Sequence, residues 1–223
     1  MLSAIIVAAG QGRRLKTTLP KPLVKIGKLP AIIYSLESLN RHPDIDEIIM
    51  VISAGNQKAI TQALKSYSFK KIKAFVLGGK RRQDSVYHGL KAVSANTNWV
   101  LIHDSARPFI NGKSITEVIA AAKKTGAAIL GVPVKATIKS SKSGGMVCRT
   151  LDRGNLWEIQ TPQVFEKELI LKAYKKYSKG NVTDDASLVE KLGNKVKIVP
   201  GSYENIKVTT PEDLLIAKAI VGR

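Results

Sequence analysis

Six short apolar runs punctuate the chain: LSAIIVA (2–8), DEIIMVIS (46–53), IKAFVL (72–77), WVLIH (99–103), AAILGVPV (127–134) and KVKIV (195–199). Each has the length of a strand, and runs this continuous belong to strands covered on both faces. Between them, apolar positions recur at helical spacing in AIIYSLESLN (31–40), QKAITQALKSY (57–67), DSVYHGLKAV (84–93) and SITEVIAAAKK (114–124). Ser114, with Glu117 three residues on, predicts an N-cap with a capping box. Strands alternating with helices predict an α/β fold: a mostly parallel, Rossmann-like sheet with helices on both faces. Ligands of such sheets bind beyond the carboxyl ends of the strands, which singles out 9–22, 78–85, 104–109 and the segments after 134. The pattern breaks at KATIKSSKSGGMVCRTLDR (135–153), a polar stretch with a Ser-Gly-Gly turn and β-like flanks at 136–139 and 146–151. A hairpin projecting from a single 1–223 domain is expected there, a plain surface loop being the alternative. VTDDAS (182–187) reads as a helix start, with Thr183 as cap and Asp184 and Asp185 at the positive end of the dipole, a structural role with a catalytic one as the alternative.

Composition narrows the classes. The 223 residues are 44% hydrophobic and 24% charged, ordinary for a globular protein. No apolar run reaches bilayer length, and the chain opens on a strand pattern rather than a leader, so no membrane association is expected. Cys148 stands alone, which excludes an internal disulfide and a thiolate metal cluster, and His42, His88 and His103 lack zinc spacing. A cytoplasmic setting is expected. The net charge of +19 suits anionic partners, nucleic acid among them. Yet 27 of the 36 basic residues are lysines spread from end to end, and aromatics are only 5%, so no basic stripe with stacking residues forms. No nucleic-acid partner is expected. The nine arginines are more informative, because several lie in glycine- or proline-marked loops.

The first run ends in AAGQGRRLKTTLPKPL. A dinucleotide fingerprint would need glycine at 15, where Leu15 stands, and the GKS at 112–114 has Arg107 where a phosphate loop needs its first glycine. What remains is Ala8, Ala9, Gly10, Gln11 and Gly12, then Arg13 and Arg14, then Pro20-Lys21. Gly10 and Gly12 let main-chain amides turn around anionic oxygens, and Arg14 and Lys21 add full charges at the rim. A structural turn would explain the glycines by themselves, and Arg13 points either to the nucleotide or to solvent. At the end of WVLIH, Asp104 can hold Mg²⁺ or a hydroxyl, or cap a turn. Gly78 and Gly79 allow close approach of a flat base, and Ser85 at a helix start suits a ribose hydroxyl.

AAGQGRRL…PK resembles the opening signature of sugar-phosphate nucleotidyltransferases. GGKRRQDSVYHGL, VLIHDSARPF, VPVKATIK, QTPQVF, VTDDASLVE and NIKVTTPEDL, in this order from about residue 2 to 220, are similar to the 2-C-methyl-D-erythritol 4-phosphate cytidylyltransferase family of the non-mevalonate isoprenoid pathway. The resemblance implies a nucleotidyltransferase-type fold and an enzyme joining CTP to a polyol phosphate with release of pyrophosphate. It implies that Arg14 and Lys21 stabilise the transition state, that Arg153 and Lys207 position the acceptor phosphate, and that Thr137 adds a hydroxyl donor. It places Asp104 at the metal and Ser105 and Ala106 along the nucleotide, with Arg107 bracing the loop, and it implies a divalent cofactor, Mg²⁺. It further implies a homodimer with exchanged 135–153 arms. Two positions depart from the pattern: Lys80, where an acidic residue is common, and Ala136, where an aspartate often precedes the threonine. Ribitol 5-phosphate is the alternative acceptor.

Overall fold

The computed structural model describes residues 1–222 other than Gln11, Lys16, Thr18, Ser143, Ser178 and Asn181. Strand β1 (Leu2–Ala8) leads through two short 3-10 turns, Arg13–Leu15 and Lys21–Leu23, to the small ladder of β2 (Lys25–Ile26) and β3 (Leu29–Pro30). Then follow α1 (Ala31–Arg41), β4 (Glu47–Ile52), α2 (Gln57–Leu64), β5 (Ile72–Leu77), α3 (Arg82–Ala92), β6 (Trp99–Asp104), α4 (Gly112–Thr125) and β7 (Ala127–Pro133). The second half carries β8 (Ile138–Ser141), β9 (Val147–Leu151), β10 (Trp157–Glu166), α5 (Lys167–Lys176), α6 (Ala186–Lys191), β11 (Lys197–Pro200) and α7 (Pro211–Val221).

The main sheet has seven strands in the order β11-β7-β10-β6-β1-β4-β5. It is parallel except for β10, which runs antiparallel to both β6 and β7. The six apolar runs are all in it, and β4 is buried at every position. Alternation along β1 divides two cores. Leu2, Ala4, Ile6 and Ala8 meet α1 and α4 through Ile33, Leu36, Ile115 and Ile119. Ile5 instead meets Val86 and Leu90 of α3 and the Tyr174 side of α5. Helices therefore cover both faces, as the alternation requires. A third, smaller core of Leu15, Val24, Ile26, Val208 and Ala217 ties the loop after β1 to α7.

Several boundaries differ from the sequence reading. Strand β10 is not among the apolar runs, because Glu158, Gln160, Thr161, Pro162 and Gln163 interrupt its apolar positions. Gln160, Thr161 and Gln163 are buried, and distant partners satisfy them: Gln160 donates to Ser202 O at 2.8 Å and Gln163 to Asp184 Oδ2 at 3.0 Å. Helices α5 and α7 were likewise missed, and α2 stops at Leu64 instead of 67. Ser114 is not the cap of α4: Asn111 is, its side chain accepting from Ser114 N at 2.8 Å. Nor does Thr183 cap α6, which begins after Asp185, while Asp184 accepts from Ser187 N at 3.2 Å. Strands β8 and β9 form the expected hairpin, with residues 147–150 exposed along β9.

Candidate active site

Strands β1, β4, β5 and β6 end on one edge of the sheet, and their following loops enclose a cleft of about 600 Å³. Ala8, Ala9, Gly10 and Gly12 line it from β1, Ser53 and Ala54 from β4, Gly78 to Arg82 with Ser85 from β5 and α3, and Asp104 to Ala106 from β6. Arg14, Lys21, Lys207 and Thr209 complete the wall. Each junction has a local cause. Val7 pairs with Asp104, and Ser105 N donates to Val7 O at 3.1 Å, so the loop after β6 lies against the start of the glycine loop. Gly12 has φ +66, and a Cβ there would sit 2.7 Å from Lys21 Cβ, so glycine lets Lys21 lie against the loop. Pro20 precedes Lys21 in extended geometry and Pro22 follows it, fixing the 3-10 turn that presents the ammonium.

Six cationic side chains, Arg14, Lys21, Lys80, Arg81, Arg82 and Lys207, line the cleft with one carboxylate, Asp104, among the described residues. Asp104 is buried, and both of its oxygens are engaged: Arg82 Nε donates to Oδ1 at 3.0 Å and Lys207 Nζ to Oδ2 at 2.5 Å. Burial by itself would raise this carboxyl; Arg82 and Lys207 outweigh it and hold Asp104 well below the usual carboxylate range. Burial pushes the Lys21 ammonium down to about 8, with the Lys207 and Arg14 charges adding to the shift and Asp104 opposing it. Lys207 reaches Asp104 because Val208 N donates to Ala106 O at 2.8 Å, while Arg107 donates to Asn205 O at 2.7 Å and to Ile159 O at 3.2 Å. Arg107 thus braces the loop instead of facing the cleft.

Behind Asp104 stands a buried relay. His103 Nε2 lies 3.0 Å from Arg107 O, which can only accept, so the ring proton belongs on Nε2. Nδ1 then accepts from Thr161 Oγ1 at 3.1 Å, and that oxygen accepts from Asp104 N at 3.0 Å. Burial pushes His103 down to about 4, so it stays neutral at pH 7 and serves as a fixed strut.

The structure brings Ala8, Ala9, Gly10, Gly12, Arg14, Lys21, Gly79, Ser85, Asp104, Ser105 and Lys207 together around this cleft. Gln11 lies outside the described residues. Thr137 and Arg153 are not brought in: Thr137 is exposed at the base of the hairpin, and Arg153 is exposed and donates to Lys135 O. The Ser85 hydroxyl donates to Arg81 O at 3.1 Å and accepts from Gly79 N at 3.1 Å, so it also fixes the turn after β5. Sequence reasoning missed Arg82. Its signal was a cation in the first turn of a helix, where the dipole disfavours positive charge and an acidic partner is needed.

A divalent ion cannot be caged here by protein groups, since no group of three or more His, Cys, Asp or Glu capable of holding one exists among the described residues. Asp104 is the one cleft carboxylate among the described residues and Arg82 and Lys207 already engage both of its oxygens, so any magnesium ion here would rest mainly on phosphate oxygens of the substrate.

The family model for IspD, 2-C-methyl-D-erythritol 4-phosphate cytidylyltransferase, matches residues 2–223. A protein of that name from Desulforamulus reducens is 46% identical over 99% of this chain and 95% of its own length. One from Clostridioides difficile is 45% identical over 100% and 94%. Among solved structures, the 4-diphosphocytidyl-2C-methyl-D-erythritol synthase of Anaerococcus prevotii superposes with a TM-score of 0.89 at 37% identity, covering 100% of this chain and 96% of that one. The Francisella tularensis cytidylyltransferase gives 0.82 at 32% identity, covering 98% of each chain.

Proposed function

This chain belongs to the 2-C-methyl-D-erythritol 4-phosphate cytidylyltransferase family, and from that premise we propose how its residues carry the reaction. The enzyme joins CTP and 2-C-methyl-D-erythritol 4-phosphate. An oxygen of the acceptor phosphate forms a bond to the CTP α-phosphorus, the bond from that phosphorus to the bridging oxygen breaks, and pyrophosphate leaves. A phosphate monoester with a second pKa of about 6 is mostly dianionic at pH 7, so the nucleophile needs no general base. The difficulty is the meeting of two polyanions and the charge that grows at the α-phosphate, and fixed cations meet it.

In this reading Arg14 and Lys21, on the loop after β1, bind the triphosphate and stabilise the transition state. Removing one such donor typically costs about 10²- to 10³-fold in rate. Amides of Gly10 and Gly12 add to the cradle. Gly79, Ser85, Ser105 and Ala106 border the nucleoside. Lys207 orients the acceptor phosphate, and a bound Mg²⁺ would be held by Asp104 and would neutralise triphosphate charge. The convergence of Arg14, Lys21 and Lys207 with a single carboxylate at the strand ends carries this assignment.

Thr137 and Arg153 fit the scheme if they act in a neighbouring copy. Two observations support a homodimer with exchanged arms: both residues sit on a hairpin outside their own cleft, and its tip exposes Met146 at 76% and Val147 at 59%. Apolar tips of that kind call for a partner surface. The substrates are charged metabolites and Cys148 is free and exposed, which supports a cytoplasmic setting. Among the described residues no helix is long and apolar enough to cross a membrane. Ribitol 5-phosphate gives way as acceptor, since relatives at 41–46% identity carry the methylerythritol name. Pyrophosphate release, measured with each of the four nucleoside triphosphates and with either polyol phosphate, tests the reading. Release is expected with CTP and methylerythritol phosphate; equal turnover of ribitol 5-phosphate would overturn the acceptor assignment.

A further inference from the structure

Arg82 opens α3 with its charge at the helix end that repels cations. Its fork resolves the conflict in a particular direction. Nη1 and Nη2 donate to the two oxygens of Asp185 at 3.0 and 2.9 Å, a bidentate pair that fixes the plane of the guanidinium. Asp185 is fully buried and also accepts from Tyr174 Oη at 2.5 Å. With the plane fixed, Nε is aimed at Asp104 Oδ1, at 3.0 Å, on the wall of the cleft. Only Oδ2 of Asp104 then faces Lys207, whose Nζ it holds at 2.5 Å. A continuous string, Tyr174–Asp185–Arg82–Asp104–Lys207, thus runs from the core between α5 and α6 to the cleft. Its charges balance, two carboxylates against one guanidinium and one ammonium, so removing Arg82 would leave two buried carboxylates, of which only Asp104 keeps a cation, Lys207.

We propose that Arg82 is a positioning residue for the transfer reaction: by fixing the rotation of the Asp104 carboxylate, it sets where the Lys207 ammonium meets the acceptor phosphate. This rests on the assignment of Lys207 to the acceptor. Asp185 is the anchor of the device, and its burial serves catalysis at a distance as well as the start of α6. Arg82 acts through Asp104, and lysine cannot replace it, because a point charge cannot grip Asp185 with two donors while aiming a third.

The test is a rate cycle of Arg82→Lys and Lys207→Ala, singly and together, with kcat and both KM values measured on protein of native circular dichroism. Arg82→Lys is expected to lower kcat about 10- to 100-fold, as a misplaced reacting group does, with the KM for CTP within about threefold. The double variant is expected to match Lys207→Ala within about threefold, since a misdirected Asp104 has no ammonium left to misplace. Effects that multiply would mean that Arg82 only supports the fold, and would overturn the inference. Undiminished activity in Lys207→Ala alone would instead remove the acceptor assignment on which it rests. Should Arg82→Lys not fold, Asp185→Asn in the same cycle breaks the bidentate grip, because its amide nitrogen cannot accept from the guanidinium, and reads the same coupling.

Discussion

Lys21 is the residue where burial and function pull against each other most directly. Its ammonium is held near 8 by burial and by the charges of Lys207 and Arg14, so at pH 7 it is protonated but within reach of titration. The sign follows from charge. Between pH 7 and 8 the cation is present to meet the triphosphate; above 8 the free enzyme sheds that proton, and CTP must restore it on binding. CTP affinity, followed by calorimetry from about pH 7 to about pH 10, should therefore weaken as pH passes 8, with proton uptake on binding. Lys21→Arg should flatten that dependence, since a guanidinium stays charged throughout. An equally steep profile in Lys21→Arg would assign the titration to another group. The same shift works the other way for the fold: below 8 the buried charge costs stability, and the cost is relieved as pH rises toward 10.5, where the unfolded chain also loses the proton.

At the scale of elements, the cleft depends on how closely α3 can approach the sheet. Gly89 makes that approach possible: a Cβ there would lie 2.6 Å from Ile5 Cγ2 and 3.0 Å from Val51 Cγ2. Both contacts are with β-branched side chains on central strands, which have little room to turn. Gly89→Ala should cost about 1–3 kcal/mol through overpacking, although alanine is the better helix former. Thermal unfolding should register this as a Tm lower by several degrees. A Tm at or above wild type would mean that α3 can lift off the sheet without loss. Because α3 carries Arg82 and Ser85 to the cleft, the same variant should also lose kcat. The turn before α3 is as tight, with a Cβ at Gly78 falling 2.5 Å from Ala9 Cβ and 2.8 Å from Ser85 Oγ. The two substrate-side loops, after β1 and after β5, therefore touch through glycine.

For the whole molecule, the 135–153 arm decides whether one chain is enough. If Thr137 and Arg153 serve a neighbour's cleft, each site draws Lys21 and Lys207 from one protomer and Arg153 from the other. Lys21→Ala and Arg153→Ala chains, each weakly active, should then complement when unfolded together and refolded. Hybrid dimers would carry one intact site, and with random pairing about a quarter of wild-type activity should return. No recovery would place Arg153 in its own chain's site or outside the chemistry. The net charge of +19 acts at this scale as well, since a cleft lined by cations in a basic molecule draws polyanions in and loses that advantage as salt rises.

The amino-acid sequence alone determined six of the seven strands of the sheet and its functional edge. The inner runs are strands buried on both faces, as β4 is at every position, while the edge strands β5 and β11 keep part of their length exposed; the glycine loop with Arg14 and Lys21 follows β1 directly, so its place needed no distant contact. The collinear motifs carried the family in the same way. Strand β10 was hidden for the opposite reason: Gln160, Thr161 and Gln163 are polar, and burial suits them only because Ser202, His103 and Asp184 come to them from elsewhere in the chain. Tertiary structure also decided the caps of α4 and α6, where neighbouring candidates compete within a few residues. Above all it decided Arg82. Nothing local joins residue 82 to 104 and 185; the fold does, and two buried carboxylates without that guanidinium would be too costly to keep.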